Sequence, residues 1–542
     1  MKKHRIISLL LICLMIVGSF TACARDASKE NADQKEKISE VHKGEDKKNS
    51  ESKFDKKIKF SATSFDVGEG EDYKSDALYK TLSEKYNFEI EFIPLSWDNW
   101  VERDRIWINS GDMPDVMFWN FNFVDYKNYT SQGLIKQLPA DYESKYPNLA
   151  KSINRSGIAP YLKQKMDEKL FTIPHVIYLT PITEDAIDAQ AVYYRQDWAK
   201  KVGMSIGDMV TIEEITDLAK AFIEKDPGEN GAGKTIGISS SASGLYGMFV
   251  KVFNTYYSSF HKVDGKYVWG PFEESTLEGI KVFSKYFKEG VFDKDYFTIK
   301  GKEFNDKFYA GKTGIFVEGC SADNLNGRKS NFAESNPTID ANEAFGICAV
   351  KGPNGKYNGS EMMNYWSASI FNPKIDDEKL DRILTLFDYI ATPEGQKLIN
   401  LGIEGKDYKT EGDKVTITRE KDESGNFKRI TKIHPSAGYF YTKVVLPDDW
   451  SINDPSIPEI TRNQVIKLFK EKQKIENLAR NDYDLTFFSA PNKDKFNINV
   501  VDAITEIILS GKDVEEAWKE WKKTVEPKVN PVLEEINNAL AK

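Results

Sequence analysis

Short strand-like runs alternate with helical segments along most of this chain, and that alternation limits the possible folds more than any single residue does. Ile58-Lys59-Phe60-Ser61-Ala62-Thr63 alternates as a strand does; a glycine-rich acidic loop and a helix near Ser75–Tyr86 follow, and Phe88–Ile93 gives a second strand. The pattern continues through Met117, Phe171, Val192 and Ile236. It implies parallel sheets covered by helices, an α/β class. Helix signals are clearest at Thr211–Lys225, where Thr211 and Glu214 have capping-box spacing and Ile212, Ile215, Leu218, Ala219 and Phe222 share a face. Asp377–Ile390 repeats the pattern with Leu380, Ile383, Leu384, Phe387 and Ile390, and Thr392-Pro393 starts a further helix as cap and first-turn proline. Asp513 and Glu516 cap a late helix that carries Trp518, Trp521 and Val525.

The first 22 residues stand apart. Lys2, Lys3 and Arg5 precede an apolar run from Ile6 to Val17, then Gly18-Ser19-Phe20-Thr21-Ala22 and Cys23. A dozen apolar residues is short of the ~20 needed to span a bilayer as a helix, so residues 1–22 read as a secretory signal peptide. The small residues before Cys23 resemble a bacterial lipobox, although Phe20 stands where such sequences usually carry Leu. That resemblance implies acylation of Cys23, export and a cell-membrane anchor, with more than one acyl chain for stable attachment. Residues 23–56 are dense in Lys, Glu, Asp, Ser and Asn and almost free of large apolar residues, the composition of a disordered tether. The rest of the 542 residues far exceeds one ~150-residue domain, so at least two cores are expected. A net charge of −9 argues against a nucleic-acid partner.

Motifs for bond chemistry fare poorly. Gly228 to Thr235 satisfies GxxxxGK[ST], but a phosphate loop follows a strand and opens a helix, and here the glycines follow a helix and precede the strand near Thr235–Ser239. Asp226, Gly228, Asn230 and Ala232 also occupy alternate positions of a calcium-type loop, yet Gly228 and Lys234 stand where Asp is expected. A plain turn is the expected reading. His175, His261 and His434 have no metal-ligand spacing, and no HExxH or GxSxG is present. Cys320 and Cys348 admit either a disulfide or two buried thiols, and the thiols are expected.

Six further stretches occur in one order. Asn109-Ser110-Gly111-Asp112-Met113-Pro114-Asp115 resembles the (A/N)SGDxPD signature of bacterial extracellular solute-binding proteins of family 1, and Asp167 to Pro174 resembles that family's DGKxYxIP. Tyr194-Arg195-Gln196-Asp197-Trp198 with Val202-Gly203 is similar to (W/Y)xRxDWLxKxG, and Asp226 to Gly233 to DPDGNGxxD. Ala310 to Ile315 is similar to GKxAM, and Thr392–Gln396 with Gly402-Ile403-Glu404-Gly405-Lys406-Asp407-Tyr408 to EGQxLxxxGIEGKDY. The last element points to the oligosaccharide-uptake lipoprotein branch.

The resemblance implies a type II periplasmic-binding-protein-like fold of two α/β lobes joined by a hinge: lobe one at 57–187 with 366–410, lobe two at 188–365 with 411–542. It implies a monomeric, non-enzymatic receptor for a carbohydrate ABC importer, held at the extracytoplasmic membrane face and handing an oligosaccharide to permease transmembrane subunits. Sugars need flat aromatic platforms and a few directed polar groups. Trp119 and Asn120 follow the PDVMF strand, where α/β sheets bind ligands; Arg195, Trp366, Glu318, His175 and Tyr178 complete the expected binding set. No cofactor is expected. Calcium at the Asp226–Asn230 loop, which some relatives bind, is put in doubt by Gly228 and Lys234. A receptor for peptides or other non-sugars on the same fold, and a secreted glycan-active enzyme, are the rival readings.

Overall fold

A computed structural model describes residues 54–541 apart from 69, 71, 97–98, 155–156, 177–189, 300–302, 362–364, 413, 422–426, 442–453 and 475–477. The signal, Cys23, nearly all of the tether and Tyr178 lie outside the described residues, as does the side chain of Trp366. Among the described residues no helix is long and apolar enough to cross a membrane. The strands run in chain order β1 (Ile58–Ser64), β2 (Phe88–Pro94), β3 (Val116–Trp119), β4 (Ile173–Val176), β5 (Gln190–Arg195), β6 (Met209–Val210), β7 (Ile236–Ile238), β8 (Phe260–Val263), β9 (Lys266–Trp269), β10 (Thr313–Gly319), β11 (Phe345–Val350), β12 (Tyr365–Phe371), β13 (Tyr408–Glu411) and β14 (Lys414–Ile417).

Two five-stranded sheets form the two lobes. In lobe one the order is β2-β1-β3-β12-β4, and in lobe two β6-β11-β5-β10-β7. Each sheet has one strand that opposes its neighbours: β12 is antiparallel to β3 and β4, and β5 is antiparallel to β10 and β11. The connectivity explains this. β4 ends at Val176 and the chain re-enters at Gln190, opposite Gly319 at the end of β10; β11 ends at Val350 and the chain re-enters at Tyr365, opposite Val176. A strand that enters from the other lobe begins where its neighbours finish and must run back against them. Both crossovers therefore join the C-terminal strand edges of the two sheets.

Strands β3, β5, β10 and β11 are covered on both faces and are buried along most of their length, whereas β1 and β2 alternate and leave Lys59 and Glu91 exposed. In lobe two, Val192, Tyr194, Ile315 and Val317 face one core while Ala191, Tyr193 and Phe316 face the other. Cys348 lies in the first cluster and Cys320 in the second, on opposite sides of the sheet, and both are free thiols. Helix Ile212–Lys225 carries the expected capping box, Asp377–Ile390 starts and stops where its period predicts, and Pro393–Leu401 is capped by Thr392. Asp513 caps Val514–Leu540, whose Trp518 and Val525 join the lobe-two core.

Two expected boundaries move. Residues 54–56 belong to the folded body, not the tether: the Arg382 guanidinium lies 3.8 Å over the Phe54 ring, and Asn87 donates to the Phe54 carbonyl. The chain also does not leave lobe one at 410, since Ala437, Tyr439 and Phe440 of helix Ser436–Tyr441 are buried in the lobe-one core. Helix Tyr483–Phe487 then joins the lobes. Its Phe487 packs on Phe123 and Tyr161 of lobe one, while Asp482, which caps it, accepts from Tyr267 of lobe two.

Candidate functional site: the interlobe edges

Because both crossovers leave C-terminal edges, the residues just past those strands lie on the facing sides of the lobes, the place where open α/β sheets bind ligands. On lobe one these are Phe65 and Asp66 after β1 and the exposed Asn120 after β3. Phe65 is a half-buried ring held edge-on against Trp100 and Phe118, with centroids 5.5 and 5.2 Å away. On lobe two they are Gln190 at the start of β5, Ser241 after β7, Glu318 to Ser321 at the end of β10, and Lys351 after β11. Ser241 and Ser321 each cap a helix that begins at this edge, Ala242–Phe249 and Ala322–Ser335. A narrow crevice lined by Gln190, Gly247, Met248, Lys251, Val350, Tyr357 and Asn358 opens beside them.

An ion pair connects the sides. Arg429, which precedes the lobe-one segment 430–441, donates to Asp323 in the first turn of the lobe-two helix Ala322–Ser335 at 2.7 Å. Both side chains are about half exposed, at 58% and 44%.

The expected site residues separate into groups. Trp119 is a core residue, 2% exposed, with its ring among Phe121, Tyr126 and Tyr129 at 5.1, 6.1 and 5.9 Å. The reason is alternation: β3 is hydrogen-bonded on both sides and covered on both faces, so the residue at its end points into a helix layer, and only Asn120 beyond it reaches the edge. Arg195 is also displaced. It ends the reversed strand β5 at the pole of lobe two away from the crossovers, 3% exposed, forked onto Asp197 and stacked over Trp198 at 4.6 Å and Phe332 at 5.0 Å. A cavity of 520 Å³ lies beside it, remote from the edge where the crossovers leave. His175 is 3% exposed and lies between the hydroxyls of Ser367 and Ser369 on the adjoining strand, at 2.5 and 2.9 Å, a cross-strand peg in place of a ligand contact. Glu318 is at the correct edge, but its carboxylate is engaged by the buried Arg328, which itself stacks over Tyr193 at 4.8 Å. Trp366 lies at the same edge in the backbone, at the register shift between Tyr365 and Ser367.

Sequence reasoning passed over a buried charged node beside this edge. His434 Nδ1 lies 2.7 Å from Asp76 Oδ1 and its Nε2 lies 2.9 Å from Asp407 Oδ2, with all three side chains 1–3% exposed. Burial opposes charge on the imidazole, but hydrogen bonds to both carboxylates and their charges outweigh it and raise the His434 pKa. Burial likewise opposes ionisation of Asp76, and hydrogen bonds from His434 and Ser436 reverse the effect and lower its pKa. Asp76 also caps helix Ala77–Tyr86, and Asp407 accepts from the Ile403 amide, so the node ties three chain segments together. The GIEGKDY stretch thus has a structural duty through Asp407. Among the described residues no group of three or more His, Cys, Asp or Glu side chains could hold a metal ion.

Comparison with known proteins fits this architecture. No family model matches the chain. Lipoprotein LipO of Bacillus subtilis is 26% identical over 336 residues, 59% of this chain and 62% of LipO. The polygalacturonan/rhamnogalacturonan-binding protein YtcQ of B. subtilis is 25% identical over 379 residues, 66% of this chain and 68% of YtcQ. The chain thus aligns with only about two thirds of the length of these homologues. Among solved structures, the ABC-transporter substrate-binding protein FusA of S. pneumoniae, in complex with kestose, superposes with a TM-score of 0.61 at 19% identity, covering 88% of this chain and 97% of that one. The fold is the type II periplasmic-binding-protein-like fold.

Proposed function

We propose that this chain is the substrate-capturing lipoprotein of a carbohydrate ABC importer, binding an oligosaccharide between its lobes and delivering it intact to permease transmembrane subunits. The observation that supports the reading is that β4 and β11 end, and β5 and β12 begin, at the C-terminal strand edges, so a ligand held between the lobes would meet both edges, with closure about the connecting segments. The polysaccharide-binding homologue and the kestose-bound structural neighbour support a sugar as cargo. Phe65 supplies an apolar platform for a sugar face, and Asn120, Gln190, Ser241 and Lys351 supply directed donors and acceptors for its hydroxyls, with Trp366 as a second platform. Acylation at Cys23 holds the receptor at the outer membrane face, and residues 24–53 give it reach.

Ligand binding closes the lobes only through its greater affinity for the closed form. No covalent step is involved. A melting-temperature panel on the chain from residue 24 onward tests the reading, since a ligand at 100 times its Kd adds ~2.7 kcal/mol of stability. Neutral or acidic oligosaccharides should raise the melting point and be recovered uncleaved. Stabilisation by peptides alone, or recovery of shortened glycans, would replace the reading by one of its rivals.

A further inference from the structure

The fold family's calcium loop can be tested here against the side chains themselves. Asp226 ends helix Ile212–Lys225 in a left-handed conformation, and both of its oxygens are already used: Oδ1 accepts from the Asn230 amide and the Thr235 hydroxyl, and Oδ2 accepts from the Gly231 amide at 2.8 Å. Asn230 turns its amide nitrogen inward, donating to Thr235 Oγ1 at 2.9 Å and to the Gly311 carbonyl at 2.8 Å. A cation would require oxygen there. At Gly228 no carboxylate can be installed, because a Cβ would lie 2.7 Å from the Gly311 carbonyl oxygen and from the Trp198 ring. Lys234 folds its chain back over Gly231, with a Cβ at Gly231 only 3.8–4.0 Å from Cδ, Cε and Nζ, so a positive charge already sits beside the turn. The residues present do not fit a divalent cation.

We infer that this loop is a metal-free staple, in which Asn230, Thr235 and Lys234 do by hydrogen bonds and a fixed charge what a bound cation does elsewhere, making lobe two independent of calcium. The staple has a specific reach. Through Asn230 and Gly311 it ties the connection between helix Ile212–Lys225 and β7 to the turn before β10, and Ile236 continues the tie by donating to the Lys312 carbonyl at 2.9 Å. Those two connections hold β7 and β10 side by side at the edge of the lobe-two sheet.

The test uses the chain from residue 24 onward, stripped with a chelator. Its melting temperature should be the same in EDTA and in millimolar calcium, and terbium excited through the nearby Trp198 should give no emission that calcium displaces. Asn230→Asp, which puts a carboxylate against the Gly311 carbonyl, should lower the melting temperature in EDTA, while Asn230→Gln should lower it less. A calcium-dependent rise for the unmodified chain, or terbium emission that Asp226→Asn abolishes, would overturn the inference. An Asn230→Asp protein as stable in EDTA as the parent would overturn the staple itself.

Discussion

Arg429 donates to Asp323 at 2.7 Å, a contact between the lobe-one segment that continues into 430–441 and the lobe-two helix that starts at the end of β10. If ligand draws the lobes together as proposed, this pair is one place where protein surfaces meet across the gap. Both partners are about half exposed, so solvent screening limits the pair to ~0–1 kcal/mol. Arg429→Ala should therefore weaken ligand affinity by no more than about fivefold, a cost of roughly 1 kcal/mol, with the difference shrinking as salt is raised. Calorimetric titration at two ionic strengths checks this.

The His434 node sets an alkaline limit on lobe one. Its folded pKa is raised above the ordinary 6.5, so the stability it contributes is complete below that value and is lost as pH rises through the folded pKa. Asp76 works in the other direction: its folded pKa is lowered from 3.8, so its contribution is present above that value and disappears as pH falls through the folded one. His434→Ala leaves two buried carboxylates facing each other and should cost about 3–5 kcal/mol. Denaturant melts from pH 5 to 9 should show the parent losing stability as pH rises beyond 6.5 and the variant lacking that step.

Asp104 carries a cost that the protein could shed. It lies on the buried face of helix Trp100–Ser110 between Trp100 and Ile108, 1% exposed, and among the described residues neither carboxyl oxygen has a hydrogen-bond partner. Burial raises its pKa from 3.8 to about 8. With the folded value above the unfolded one, stability is greatest below 3.8 and declines as pH climbs towards 8. Asp104→Asn should be more stable than the parent at pH 7 by about 1–3 kcal/mol and should flatten the decline, as melts at acid and neutral pH can show.

Trp119 and Phe65 should behave oppositely. Trp119→Ala removes a ring enclosed by Phe121, Tyr126 and Tyr129 and should cost ~3–5 kcal/mol of stability, with ligand affinity kept in whatever fraction folds. Phe65→Ala, at the half-buried strand edge, should leave the melting point of the ligand-free protein little changed but weaken oligosaccharide binding tenfold or more, ~1.4 kcal/mol.

Local structure was legible in the sequence where its causes are local. The capping box at Thr211, the period of Asp377–Ile390 and the Thr392-Pro393 start each depend on residues within a few turns of one another, and each forms as read. The site was less legible because strand direction is a tertiary property. Arg195 follows a strand-like run as Trp119 does, but β5 enters from the crossover and runs backwards, which sends its final residue to the far pole. Trp119 failed for a different reason, since a one-residue step along a strand exchanges the edge for the core, and the position that reaches the edge is Asn120. The lobe boundary beyond 410 was hidden because the tie that draws 434–441 back to lobe one, His434 to Asp76, joins residues 358 apart in the chain. No periodicity encodes such a pair.

Small-angle X-ray scattering of the chain from residue 24 onward, with and without a saturating oligosaccharide chosen by its melting shift, tests hinged capture most directly. The account predicts a smaller radius of gyration with ligand and a return to the open value on its removal. An identical scattering curve at full occupancy would contradict it.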